Sequence, residues 1–221
     1  MMKKKFALFL SLLMALTCFT FAFSACGKEA AEEAAEDAAE NAAEATEEEL
    51  VDTFDGPALG YDGDDWAEYA VYQYLAEQIG SQYNQPDGAI CLPVVRIIDR
   101  DEDSDDGDID IEGDFWVFNY VVEGDTLKCV SGGAHPGQME LINVGGGFSV
   151  KEFEGVADGG AYESSAKDIF EENYDKFVEV TNDKDGLEEA RAKGIATYVK
   201  AKGLSVTKYQ DEGWDPVDIP L

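Results

Sequence analysis

Residues 113–137, GDFWVFNYVVEGDTLKCVSGGAHPG, decide how the rest of the chain is read. Phe115 to Val122 is an eight-residue run of aromatic and β-branched residues broken by one Asn, the composition of a strand. Gly124-Asp125 is a two-residue hairpin turn, a return strand follows, and SGGAHPG (131–137) reads as an irregular loop. Trp116, Phe118, Tyr120 and Val122 alternate on one face with Phe115, Val117, Asn119 and Val121 on the other. Both faces are apolar, so the strand should be covered on both sides, at the centre of a sheet. The stretch also holds the chain's single histidine, His135, and one of its four cysteines, Cys129.

Working outward, Cys91 to Asp99 (CLPVVRIID) is a strand with Pro93 near its start, as an edge permits. Upstream of it, Asp65 precedes Trp66-Ala67-Glu68, a capping-box pattern. It predicts a helix from Trp66 to Ile79, stopped at Gly80, with Val71, Leu75 and Ile79 on its buried face. Downstream, Gln138 to Val144 and Phe148 to Phe153 add return strands. Ser165 then caps a second helix with the stripe Ile169, Phe170, Tyr174, Phe177, Val178 and Thr181. Asp185-Gly186 opens a third, with Leu187, Ala190, Ile195, Tyr198 and Val199 facing in, and Gly203 ends it. Ser205 to Tyr209 is a short strand.

The expected fold is α+β: an N-terminal helix on a four- to five-stranded antiparallel sheet, with two C-terminal helices. Across Asp64 to Phe153, the order of a helix followed by a curled sheet resembles cystatin-like/NTF2-like domains. An aromatic face inside a curved sheet can line a ligand pocket, which makes Trp116, Phe118, Tyr120 and His135 candidate ligand contacts. The plainer reading of those aromatics is core packed under a helix.

The first residues read differently. Met1 to Lys5 is a short basic segment and Phe6 to Phe23 an eighteen-residue, largely apolar run. Phe23-Ser24-Ala25-Cys26-Gly27 resembles the lipobox of bacterial lipoproteins, with Phe where that family usually has Leu. The resemblance implies a signal peptide over 1–25, cut so that Cys26 becomes the first residue and carries diacylglycerol and a further acyl chain such as palmitate. It implies a lipid anchor on the extracytoplasmic face of the cell membrane; two or more chains are what stable anchoring requires. An ordinary cleaved signal peptide or an uncleaved anchor is the alternative. Residues 26–50 then form an acidic Ala/Glu-rich spacer, with EAAE, EAAE, DAAE and NAAE in succession from Glu29 to Glu44. Acids recur at i and i+4 without lysines to pair them, so the segment should be a solvated, self-repelling stalk. The remaining residues, 51–221, form a single domain.

The formal net charge is −32. Phosphate contacts need basic charge, so nucleic acid is excluded as a partner. No other partner, ligand or protein, is named by the sequence.

Two stretches could carry chemistry. Starting at Asp101, acids stand at EF-hand positions 1, 3, 5 and 12 (Asp101, Asp103, Asp105, Glu112), which suggests calcium. Position 6 is Asp106 rather than Gly and the flanks are strands, so a solvated hairpin tip is the competing reading. His135 could serve as a general base beside a carboxylate, but no nucleophile motif accompanies it. Cys91 and Cys129 could form a disulfide in an exported chain. Register opposes this: in a meander the two lie on opposite sides of the Phe115–Val122 strand, roughly 9.5 Å apart against a bridging limit of roughly 7 Å. The function expected is a non-enzymatic binding domain for a small ligand or an envelope protein. The alternatives are an envelope hydrolase or isomerase using His135, and a calcium-stabilised module; no other cofactor is implied.

Overall fold

The computed structural model describes residues 54–102 and 107–221, all within a compact unit that spans 49–221. Cys26, the spacer, Asp103 and Asp105 lie outside the described residues.

Asp65 starts the first helix: its carboxylate accepts from the Ala67 and Glu68 N–H groups at 2.8 and 3.1 Å. Helix α1 (Trp66–Tyr74) continues through a π-helical turn, Leu75–Ile79, and a tighter turn, Gly80–Gln82. These turns press on strand β1 (Ile90–Asp101), where a Cβ on Gly80 would stand 2.4 Å from the Cys91 sulfur. Val71, Leu75 and Ile79 are buried, as the helical spacing predicts.

Strand β2 (Ile109–Glu123) is the axis of the sheet. One edge pairs antiparallel with β1 over Asp110 to Tyr120. The other edge takes two partners in turn, β3 (Thr126–Ala134) and β4 (Gly137–Asn143). These two keep one register: Ala134 faces Trp116 and Gly137 faces Gly113. Between them the His135 N–H donates to the Phe115 carbonyl at 2.7 Å, while Pro136, with no N–H, interrupts the ladder. Thr126 to Asn143 is in effect one strand bent at His135-Pro136. Beyond the bend, β4 is flanked by β5 (Phe148–Gly155). Before it, β3 is flanked by β6 (Lys208–Gln210), in parallel, and then by β7 (Val217–Asp218).

The sheet therefore has seven strands rather than four or five, and it is mixed. The C-terminal tail makes the difference. The Thr207 and Lys208 N–H groups donate to the Asp125 carbonyl at the β2–β3 turn, at 2.8 and 3.2 Å, and this lays β6 along β3. The second expected helix is two: α2 (Tyr162–Phe170) and α3 (Tyr174–Asn182), separated by a turn in which Glu171 has φ 40°. That left-handed residue stops α2, and the apolar stripe resumes across it, so one continuous periodicity covers two helices. Ser165 lies inside α2 rather than at its cap; its hydroxyl reaches the Ala161 and Tyr162 carbonyls at 3.0 and 3.1 Å. Helix α4 (Lys184–Lys202) is capped by Asp183, which accepts from the Gly186 N–H at 2.9 Å.

Three layers result. Helix α1 covers one face of the sheet, against Ile111, Phe115, Val117, Met139 and Leu141. On the other face α4 packs over Leu92, Val94, Phe118, Tyr120 and Leu127, and α2–α3 pack over Ile98. β2 is thus covered on both sides, as its two apolar faces require.

Candidate functional site

On the face that carries α4, the tail leaves a cleft of about 650 Å³ between β2, the start of α4 and strands β6–β7. Its apolar wall comes from Trp116, Leu187, Tyr209, Trp214 and Val217. Trp214 is 76 % exposed, a large apolar surface left open beside a concavity. Its rim is charged, with Glu188, Asp211 and Asp215 against Lys184.

Arg191 holds this wall in place. It occupies the buried stripe of α4, one turn after Leu187 and one before Ile195, and is only 2 % exposed. Its Nε donates to the Tyr120 hydroxyl at 2.6 Å, and its two terminal nitrogens bind both Asp211 oxygens at 2.8 and 2.5 Å. The guanidinium carbon lies 4.1 Å from the Phe118 ring centre and 5.2 Å from that of Tyr209. Burial alone would depress the guanidinium's pKa; hydrogen bonds to Asp211 and Tyr120 outweigh it and hold it above the ordinary value. The same contact holds the Asp211 carboxyl below the ordinary range. A bidentate pair of this kind fixes orientation as well as charge, and here it ties the β6 segment to α4.

A second ion pair sets Trp116. Asp114, 1 % exposed, binds Arg96 through two guanidinium nitrogens and accepts the Trp116 indole N–H at 2.9 Å. Arg96 in turn reaches the Asp183 carbonyl at 2.8 Å, the residue that caps α4. Trp116 is stacked on Phe118, centres 5.7 Å apart and rings 5° from parallel.

Compared with protein-family models, curated proteins and solved structures, the chain matches none.

Of the four expected ligand contacts, only Trp116 lines the cleft. Phe118 and Tyr120 are buried beneath α4 in the grip of Arg191. His135 lies with Phe115 on the α1 face, so β2 separates it from Trp116. There its Nε2 is 2.8 Å from the Tyr83 hydroxyl, with the rings edge to face. Gly133 permits that contact, since a Cβ would stand 2.5 Å from the Tyr83 oxygen. Burial lowers the His135 pKa, and Asp158 opposes the shift. The histidine's partner is thus a phenol, where the catalytic reading wanted a carboxylate.

Cys91 and Cys129 are free thiols, facing Asn119 and Tyr120 across opposite edges of β2. Burial pushes both pKa values up to about 11, which disfavours thiolate chemistry. Among the described residues no group of three or more His, Cys, Asp or Glu side chains could hold a metal ion. Asp101 and Glu112 are in β1 and β2, and Glu112 accepts from the Asn173 amide at 3.1 Å. A smaller cleft of about 420 Å³ lies beside α1, with Trp66, Tyr74 and the 145–147 glycine turn on its walls. Among the described residues, Glu77 is its one lining charge.

Sequence reasoning missed Arg191, Asp211, Tyr209 and Trp214. A signal existed for the first. Leu187, Arg191, Ile195 and Val199 fall at successive i+4 positions, so a cation stands in an apolar stripe, where it must find a buried partner.

Proposed function

We propose that the protein is a lipid-anchored extracytoplasmic binding protein: a diacylglyceryl group on Cys26, an acidic stalk over residues 26–50, and an α+β domain that captures a small ligand. The anchor rests on the lipobox-like FSACG at 23–27. The binding role rests on one observation, the cleft that Trp116, Tyr209 and the exposed Trp214 line together on a wall pinned by Arg191. Its volume is that of a small-molecule site. Catalysis by His135 is disfavoured by its position across the sheet and by its phenolic partner.

The chain's three tryptophans make the test direct. Trp116 and Trp214 line the cleft, and Trp66 lines the smaller one. In 15N-indole NMR of the full chain, titrated with organic cations, sugars and organic acids, a binding class should move the Trp116 and Trp214 signals together. Ligands that move only Trp66 would transfer the site to the α1 cleft and overturn this reading. For the anchor, alkyne-palmitate labelling in cells should be lost in Cys26→Ala; retained label would refute it.

A further inference from the structure

We infer that the cleft takes a small organic cation, an alkylated ammonium ion, in preference to a sugar or an acid; this rests on the cleft being the binding site. Three observations carry it.

The wall already holds a cation from behind. The Arg191 guanidinium packs on Phe118 and beside Tyr209, and Tyr209 also lines the cleft. Aromatic faces attract cations through their quadrupole, most strongly for Trp, and Trp116 and Trp214 add two indoles on the open side. Trp116 is set up for this. Its N–H is given to the Asp114 carboxylate, which enriches the ring in electron density and fixes the ring by its polar edge.

The rim supplies the counter-charge. Glu188 and Asp211 share Arg191, at 3.5 and 2.5 Å, so that one cation answers two carboxylates. Asp215 makes no ion pair among the described residues, and Lys184 is the only lysine or arginine on the lining. A chain of net charge −32 adds a field that draws cations and repels acids. A sugar could stack on the indoles but would gain nothing from that field.

Size completes the choice. A cleft of about 650 Å³ suits a small molecule better than a peptide segment. An alkylated ammonium ion spreads its positive charge over its methyl groups, so that some rest on the indole faces while others meet Asp215, satisfying wall and rim at once.

Choline and its uncharged carbon isostere, 3,3-dimethylbutan-1-ol, differ at the cleft only in charge. The test compares them by calorimetry and indole NMR on the full chain in nonionic detergent. Choline should bind, shifting the Trp116 and Trp214 signals, and the isostere should bind severalfold more weakly, as a cation–π contact at an open site implies. Asp215→Asn should weaken choline severalfold and leave the isostere unchanged, and Trp214→Leu should weaken both. Equal affinity for the two compounds would overturn the charge inference while leaving the cleft as the site. A choline shift confined to Trp66 would overturn the cleft itself. No binding of choline at tens of millimolar would also overturn the cation inference, and the sugar and acid titrations would then decide the cleft.

Discussion

Arg191→Met is the most revealing single change, because it keeps the apolar stem in the α4 stripe and removes the guanidinium. Breaking a buried ion pair by deleting one partner costs about 3–5 kcal/mol. Here the surviving carboxylate has an escape, since the Asp211 side chain is 43 % exposed and can rehydrate, so the upper part of that range does not apply. The Tyr120 hydroxyl has no such escape. Tyr120 is fully buried and loses the donor at 2.6 Å, which costs about 1–3 kcal/mol. With the stacking on Phe118 also lost, the expected destabilisation is about 2–3 kcal/mol. Urea unfolding should show a lower midpoint at unchanged m. Asp211→Asn should cost less than Arg191→Met, and the double variant should be no worse than Arg191→Met alone, since the two changes remove one interaction. Amides of residues 204–221 should exchange faster, because β6 has lost its tie to α4. Arg191→Met within about 0.5 kcal/mol of the parent would refute the pinning argument.

The remaining expectations concern the other face and the first helix. His135 has a lowered folded pKa, so the unfolded chain binds the proton first as pH falls. Its contribution is therefore full above the unfolded value of about 6.5 and is lost below it, down to the folded pKa. Asp158 and Tyr83 are the groups that face it. His135→Gln should lose less stability than the parent between pH 8 and pH 5 in chemical denaturation; parallel curves would contradict the buried, neutral imidazole. Gly133→Val should displace the Tyr83 hydroxyl and cost about 1–3 kcal/mol by crowding, whereas Gly160→Ala, where a Cβ meets nothing, should be silent. Asn119 is fully buried and its Oδ1 has no hydrogen-bond partner, so Asn119→Leu with Ser131→Ala should be neutral or stabilising by about 1 kcal/mol. Loss of more than that would mean the pair does something its contacts do not reveal. Asp65→Ala should cost about 1 kcal/mol for the cap, and somewhat more because Arg100 loses its 2.7 Å partner.

Much of the fold was legible because it is written in periodicities long enough to count. The eight-residue run at Phe115 placed the central strand, and Val71, Leu75 and Ile79 placed the buried face of α1. Strands β6 and β7 are three and two residues long, below the length at which alternation can be recognised, and the Asp125 carbonyl and the Arg191–Asp211 pair that hold the tail leave no periodic signal. The break at Glu171 was hidden for the opposite reason: Ile169, Phe170, Tyr174 and Phe177 keep helical spacing across it. The candidate site was legible in one residue, Trp116. Tyr209, Asp211 and Trp214 come to it from a tail some ninety residues along the chain, brought there by a salt bridge. His135 drew attention because it was alone, yet the alternation that puts Trp116 on one face of β2 and Phe115 on the other already separated the two.

A pair of variants decides between ligand binding beside Trp214 and binding beside Trp66. Trp214→Leu and Trp66→Leu each remove one partly exposed indole from a different cleft. The affinity of whatever compound the indole titration identifies should fall at least severalfold in the first and stay at the parent value in the second. Unchanged affinity in Trp214→Leu, with loss in Trp66→Leu, would contradict binding beside Trp214.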